Sequence, residues 1–133
     1  MRVLALDYGS ARCGCAISDP TGVLATPLEP VARPTTTRGL QKLRALVGSL
    51  DVATVVVGLP LSLSGGDSRQ TVETRAFAHR LEQVIPVPVE LYDERLTTKL
   101  ASRLGGRKSE DSRAAAHLLE SWLAAQGNTK NDG

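Results

Sequence analysis

Carboxylates stand where the apolar segments of this sequence end or begin. Asp7 closes the first apolar run of the chain. Asp93 and Glu94 close a later run, and Asp111 opens the final helical stretch. Carboxylates gathered at one place repel one another unless a cation lies between them, and their oxygens are the ligands that Mg²⁺ and Mn²⁺ prefer. The pattern therefore indicates a divalent metal site, which suits hydrolysis of phosphodiester bonds.

The spacing after Asp111 places this acid on the buried side of its helix. The apolar residues lie three, four, seven, eight and eleven positions further on: Ala114, Ala115, Leu118, Leu119 and Trp122. These positions form one stripe of a helix that begins at Asp111. The alanines allow the helix to approach a sheet closely. An acid on such a stripe is unusual unless it meets a cation.

Each acid also has an ordinary structural explanation. Asp111 could be a first-turn acid that is stabilised by the helix dipole, and Asp7 could simply form a turn. Asp93 or Glu94 could form an ion pair with Arg95. We favour the metal site because one arrangement of strands would bring the acids together at a single place.

Nine segments show the hydrophobic periods of secondary structure, in the order β-β-β-α-β-α-β-α-α. The predicted strands cover residues 2–7, 13–18, 23–32, 53–59 and 87–93. The predicted helices cover residues 37–50, 69–84, 97–104 and 111–126. Pro27 and Pro30 lie inside the third strand. This strand should form an edge of the sheet because proline cannot donate to a strand ladder.

This order predicts an α/β fold with one five-stranded mixed sheet flanked by helices. The first three strands should be antiparallel, and strands four and five should run parallel to strand one through helical crossovers. The carboxyl ends of strands one, four and five then meet at one edge, where such folds bind ligands. We expect a single domain over residues 1–126 and a disordered tail over residues 127–133.

Composition narrows the classes of function. The chain has 133 residues, of which 3% are aromatic, so stacking platforms for nucleic-acid bases should be few. Net charge is only +2, but residues 94–113 hold six basic residues and three acids. That mixture suits a site for polyanion and metal together, although a solvated helix face has the same composition. With no apolar run of membrane-spanning length and no resemblance to a signal peptide, we expect a cytoplasmic protein that contacts no membrane.

The two cysteines carry no separate chemistry. Cys13 and Cys15 lie two residues apart, so they should share one face of the second strand. Two ligands are too few for a typical metal site. We interpret both as small core residues that remain free thiols.

Four segments resemble, in order, the motifs of the YqgF/RuvX family. The opening motif resembles residues 4–19, LALDYGSARCGCAISD, and the second is similar to residues 56–61, VVGLPL. The most distinctive motif resembles residues 93–98, DERLTT, and the fourth resembles residues 109–116, SEDSRAAA. The resemblance spans nearly the whole chain. It implies a ribonuclease H-like fold, related to Holliday junction resolvases.

The resemblance also implies an activity and its residues. Family members are described as Holliday junction resolvases or as nucleases that finish the 5′ end of 16S ribosomal RNA. Mg²⁺ or Mn²⁺ would be held by Asp7, Glu94 and Asp111, with Asp93 as the alternative to its neighbour. Nucleic acid would be contacted from the motifs and from the loop before the second helix: Arg12, Ser68, Arg69, Arg95 and Thr98.

Other functions remain open at this point. Asp7-Tyr8-Gly9 also fits the phosphate loop of actin-like or sugar-kinase ATPases, but those enzymes need two such domains and would leave Glu94 and Asp111 unexplained. A non-catalytic RNA-binding factor of ribosome maturation would keep the fold without needing the acids. The substrate could be precursor ribosomal RNA, single-stranded RNA or DNA, or branched DNA. The protein could be a monomer or a homodimer, because only a four-way junction demands two symmetric cuts.

Overall fold

The first strand of the chain lies at the centre of the sheet, with two strands on each side of it. The computed structural model describes residues 1–62, 64, 66–97 and 110–131. The elements are β1 Arg2–Asp7, β2 Arg12–Ser18, β3 Ala25–Ala32, α1 Thr37–Ser49, β4 Val52–Leu59, α2 Arg69–Glu82, β5 Val89–Asp93, a 3₁₀ turn Glu94–Leu96, and α3 Glu110–Asn131. The predicted helix over residues 97–104 falls almost wholly outside the described residues.

The strand order is β3-β2-β1-β4-β5. Strand β1 pairs with β2 and β2 with β3 in antiparallel fashion, whereas β4 runs parallel to both β1 and β5. The predicted five-stranded mixed sheet is therefore confirmed. Strand β3, which contains Pro27 and Pro30, lies at an edge, as the missing proline N–H groups require.

Helices α1 and α2 cover one face of the sheet. Leu4 and Leu6 of β1 and Val55 and Val57 of β4 point toward them, and all four are fully buried. Both cysteines are buried on this face as free thiols, as predicted. Large aliphatic side chains and Phe77 fill this layer, so it supplies most of the apolar burial.

The buried side of α2 differs from the predicted one. The apolar spacing within residues 69–84 of the sequence predicts Val72 and Val84 on the inward side, but they are 57% and 37% exposed. Thr71 and Thr74 are buried instead, in line with Phe77. Burial of a threonine is tolerated because its hydroxyl donates to the backbone, to the Pro60 oxygen and, at 2.8 Å, to the Gln70 oxygen respectively.

Helix α3 covers the opposite face and packs on β1, β2 and β3. Ala115, Leu118 and Leu119 are buried as predicted, but Ala116 turns inward and Ala114 is exposed. The helix continues to Asn131, past residue 127, where the sequence predicts the start of a tail. The polar residues there contain no proline, and polarity alone does not end a helix. Within the described residues, no helix is long and apolar enough to span a bilayer.

Candidate active site

Asp7 lies at the end of β1 between two glycines. Its register partner on β2 is Gly14, and the pairing of Leu6 with Val57 places Gly58 of β4 on its other side. Side chains alternate along a strand, so Asp7 points to the same face as Val3 and Ala5, the face that α3 covers. Because both neighbours lack a side chain, other parts of the chain can approach the Asp7 carboxylate from both sides.

The space over Gly14 is filled by the start of α3. A Cβ atom at residue 14 would lie 1.9 Å from the Asp111 backbone oxygen. Next to this contact, the buried Ser112 hydroxyl accepts a hydrogen bond of 3.2 Å from the Cys15 N–H. The main chain of α3 is therefore held against β2, and this contact delivers Asp111 to the neighbourhood of Asp7.

The space over Gly58 is filled by Glu94. A Cβ atom at residue 58 would lie 2.8 Å from Glu94 Oε1. The 3₁₀ turn that carries Glu94 is tied to α3, because the Ser121 hydroxyl donates to the Leu96 oxygen at 3.0 Å and lies 3.0 Å from the Tyr92 hydroxyl. Glu94 thus reaches Asp7 across a glycine that makes room for its side chain.

The nearby carboxylates and burial change the pKa of Asp7. Burial, repulsion from Glu94, a hydrogen bond with Glu94 and repulsion from Asp111 together raise the pKa of Asp7 to about 7. A raised pKa of this kind shows carboxylates that share a partly buried site. The structure therefore brings Asp7, Glu94 and Asp111 together.

Asp93 has a different environment from Glu94. Its carboxylate binds the Arg95 side chain, with the shortest N–O distance at 2.7 Å, and it accepts the Arg95 N–H at 2.9 Å. These hydrogen bonds hold the pKa of Asp93 below its usual value. Asp93 has no part in the pKa shift of Asp7. The geometry thus favours Glu94 over Asp93 as the partner of Asp7.

The donor set suits a hard divalent cation, although the carboxylates are not arranged as a finished cage. Within the described residues, no group of three histidine, cysteine, aspartate or glutamate side chains has the spacing of a metal site. Asp7 shares a hydrogen bond with Glu94, and Asp111 Oδ2 lies 3.6 Å from Arg12 Nε. A proton and a guanidinium thus relieve part of the repulsion that a cation would relieve, and all available donors are carboxylate oxygens.

The predicted substrate residues divide into two groups. Arg12 is exposed beside Asp111, and Arg95 extends from the 3₁₀ turn to the Ser62 oxygen at 3.4 Å. Ser68 instead caps α2 in a reciprocal pair with Thr71. Arg69 is almost fully exposed, 3.3 Å from Glu73. Thr98 lies outside the described residues.

Three supporting residues were missed from the sequence: Gly58, Ser112 and Ser121. Gly58 carried a usable signal, because a glycine inside a valine-rich strand marks a close approach. Ser112 follows Asp111 directly, but its bond to Cys15 joins residues 97 positions apart. Ser121 lies 25 positions from Leu96, whose oxygen it holds, so local pattern could not identify either serine.

Comparisons with known proteins agree with this geometry. The family model described as "RuvX: Holliday junction resolvase" matches residues 1–125. A protein of Streptomyces avermitilis named "Putative pre-16S rRNA nuclease" is 47% identical over 94% of this chain and 86% of its own length. One of the same name from Maridesulfovibrio salexigens is 39% identical over 93% of this chain and 98% of its own.

Solved structures with low sequence identity show the fold. The RuvC protein of T. thermophilus, solved in complex with a Holliday junction substrate, superposes with a TM-score of 0.64 at 13% identity, over 97% of each chain. The predicted ribonuclease H-like fold is confirmed by this likeness. The expectation of a nuclease, and hence a hydrolase, is confirmed by the family. With the acids, the sheet and the family model in agreement, the chain belongs to the RuvX family.

Proposed function

We propose that this protein is a divalent-metal-dependent nuclease that hydrolyses phosphodiester bonds during 5′-end maturation of 16S ribosomal RNA. The observation that carries the proposal is the contact of Asp7 with Glu94, beside Asp111, at the carboxyl edge of the sheet. Three carboxylates in one partly buried place destabilise a fold unless they bind something positive. The identity of 38–47% to proteins named as pre-16S rRNA nucleases favours ribosomal RNA as the substrate.

Asp7, Glu94 and Asp111 would hold Mg²⁺ or Mn²⁺. Such ions supply an activated water and stabilise the leaving oxygen. Asp7 must lose its proton to bind a cation, so binding should strengthen as the pH rises through about 7. Arg12 compensates the charge of Asp111 and, once a cation replaces it there, can turn to a phosphate of the substrate. Arg95, oriented by Asp93, would contact a second phosphate.

A second candidate function is resolution of Holliday junctions. The family description favours it, since it names a Holliday junction resolvase. Junction cleavage requires two symmetric cuts and therefore a homodimer, whereas trimming of an RNA end requires only a monomer. A role on precursor ribosomal RNA would place the protein in the cytoplasm.

Amide substitutions test the mechanism. Asp7→Asn, Glu94→Gln and Asp111→Asn should each abolish cleavage and keep the fold, whereas Asp93→Asn, the matched neighbour, should keep part of the activity. Cleavage is measured with Mg²⁺, with Mn²⁺ and with EDTA on precursor ribosomal RNA, single-stranded RNA, single-stranded DNA and four-way DNA. Full activity of Asp7→Asn would reject the mechanism, because it would show that the acid cluster is not the catalytic site. If the protein prefers the four-way DNA, the junction rather than ribosomal RNA is its substrate.

A further inference from the structure

A basic surface starts at the sheet edge that carries the acid cluster, on the loop before α1, and continues over the outer side of α1 on the opposite face of the sheet. Residues 30–50 contain four basic residues and no acid. Arg33, Arg38 and Lys42 are exposed. Arg80 of α2 joins them, because its Nη1 donates to the Thr35 oxygen at 2.6 Å. We call Arg33, Arg38, Lys42 and Arg80 the α1 ridge.

The ridge begins at the same edge of the sheet as the acids. Strand β3 ends at Ala32, which pairs with Arg12, and Asp7 pairs with Gly14 two residues along β2. Two strand spacings and two residues put the Cα atoms of Asp7 and Ala32 roughly 12 Å apart. Arg33 therefore lies next to Arg12 at this edge of the sheet. A phosphate held at the acid cluster would be within a few nucleotides of it.

Arg80 has a structural hydrogen bond, but folding does not account for the charges of Arg33, Arg38 and Lys42. Arg38 lies in the first turn of α1, where the helix dipole favours an acid. Arg38 and Lys42 are like charges four residues apart, a spacing that brings them together on a helix. Among the described residues, no carboxylate forms an ion pair with Arg33, Arg38 or Lys42. A negatively charged ligand would relieve each of these unfavourable features.

Arg33 also has a backbone conformation that glycine would adopt more readily. Its φ is 45°, in the left-handed region. Its N–H donates to the Ala11 oxygen at 2.9 Å, and its oxygen accepts from the Thr36 hydroxyl at 2.7 Å. Asp51 has a similar φ of 55°, but it follows the end of α1, where such a residue is ordinary. An arginine kept in this conformation beside a candidate site points to a role for its side chain.

We propose that the α1 ridge binds the phosphate backbone of the nucleic acid that flanks the cut site. The inference rests on the proposed nuclease function and extends its substrate path past Arg12 toward α1. Contacts of arginine and lysine to phosphates are independent of sequence and dependent on salt. With few aromatic residues for stacking, charge would supply most of the affinity.

A charge-matched pair of variants tests the ridge. R38Q/K42Q removes two ridge charges. The control R2Q/R44Q removes one charge at the far end of β1 and one on a different side of α1. Binding of a labelled single-stranded RNA from the precursor 5′ flank is measured in EDTA over a range of salt. R38Q/K42Q should weaken binding about tenfold and reduce the salt slope by about 1.4, and the control should change both much less. Equal losses in both pairs would overturn the proposal.

Glycine variants separate the charge of Arg33 from its backbone. Glycine adopts a positive φ without strain. Arg33→Gly and Asp51→Gly should therefore both unfold at the same temperature as the parent protein or higher. Only Arg33→Gly should weaken RNA binding, by about three- to tenfold, and Arg33→Lys should retain most of it. Parent-like binding by Arg33→Gly would remove Arg33 from the ridge.

The two proposals can fail separately. If the ridge variants bind RNA normally while Asp7→Asn abolishes cleavage, the ridge is rejected and the nuclease mechanism stands. If the ridge variants lose binding while Asp7→Asn still cleaves, the metal mechanism is rejected and the ridge remains a nucleic-acid surface.

Discussion

The two faces of the sheet differ in the size and charge of their side chains. The α1 and α2 face is filled by leucines, valines and Phe77. The α3 face has four alanines among its eight buried core residues, beside two valines and two leucines, and it carries the three carboxylates near Gly14 and Gly58. Strand β1 shows the division in four residues, since Leu4 and Leu6 point one way and Ala5 and Asp7 the other. The comparison teaches that small side chains make room for chemistry on one face, while large ones stabilise the fold from the other.

The largest change in stability should come from the apolar face. Leu43→Ala removes a fully buried side chain between α1 and the sheet, so the free energy of unfolding should fall by about 2–5 kcal/mol. The affinity for Mn²⁺ of the folded protein should not change. Urea unfolding and calorimetric Mn²⁺ titration measure the two quantities, and a large loss of Mn²⁺ affinity would show that the faces are not independent.

On the other face, the two glycines should differ from each other. In Gly14→Ala the new Cβ meets the α3 backbone, so the helix must shift and unfolding should become easier by about 3 kcal/mol. In Gly58→Ala it meets mainly the flexible end of Glu94, so stability should change by less than about 1 kcal/mol. Cleavage should fall in both variants. Equal stability of the two would contradict the backbone contact at Gly14.

The acid cluster should make stability depend on pH. The pKa of Asp7 is raised to about 7 in the folded protein from 3.8. The folded state therefore keeps a proton that the unfolded state releases, and stability should fall as the pH rises from about 4 to about 7. Asp7→Asn should remove this fall, so the variant should be more stable than the parent at pH 8 by up to about 4 kcal/mol, and equal to it near pH 4.

Thermal unfolding in EDTA at several pH values measures this effect. Mn²⁺ should stabilise the parent protein at pH 8 but not the Asp7→Asn variant. A parent protein whose stability rises between pH 4 and pH 7 by more than that of Asp7→Asn would contradict the assignment.

A smaller change than at Leu43 or Gly14 should come from Ser112→Ala. The Cys15 N–H loses its buried acceptor, which should cost about 1–2 kcal/mol. Mn²⁺ affinity should also fall, because the start of α3 carries Asp111. The exposed Ser49 provides the control, and Ser49→Ala should leave both quantities unchanged. Unaltered Mn²⁺ affinity in Ser112→Ala would mean that the Gly14 contact alone positions the helix.

Much of the fold could be predicted from the sequence because strong local patterns determine it. The apolar run before Asp7 predicts a central strand, and the prolines of the third strand predict an edge. The buried side of α2 could not be predicted, because Thr71 and Thr74 are polar until their hydroxyls find backbone oxygens. Polar composition and Gly127 likewise predict an early end to α3, but no proline interrupts the helix before Asn131.

The site, like the fold, could be predicted only where local sequence patterns determine it. The proximity of Asp7, Asp111 and the Asp93–Glu94 pair could be predicted from two strand ends and one helical stripe, which are local features. The preference for Glu94 over Asp93 depends on the bond of Asp93 to Arg95 and on the space over Gly58. The roles of Ser112 and Ser121 depend on contacts between residues far apart in the chain, which no spacing rule contains.

Because Gly14 contacts the α3 backbone, position 111 of the proposed metal site could carry a different ligand. The main chain, rather than the Asp111 carboxylate, fixes where the residue stands. A different side chain at 111 would be presented at the same place without a change to the scaffold. A histidine there would offer nitrogen in place of oxygen and move metal preference from Mg²⁺ toward softer transition metals. In engineering terms, metal choice can be varied at one residue while the fold stays constant.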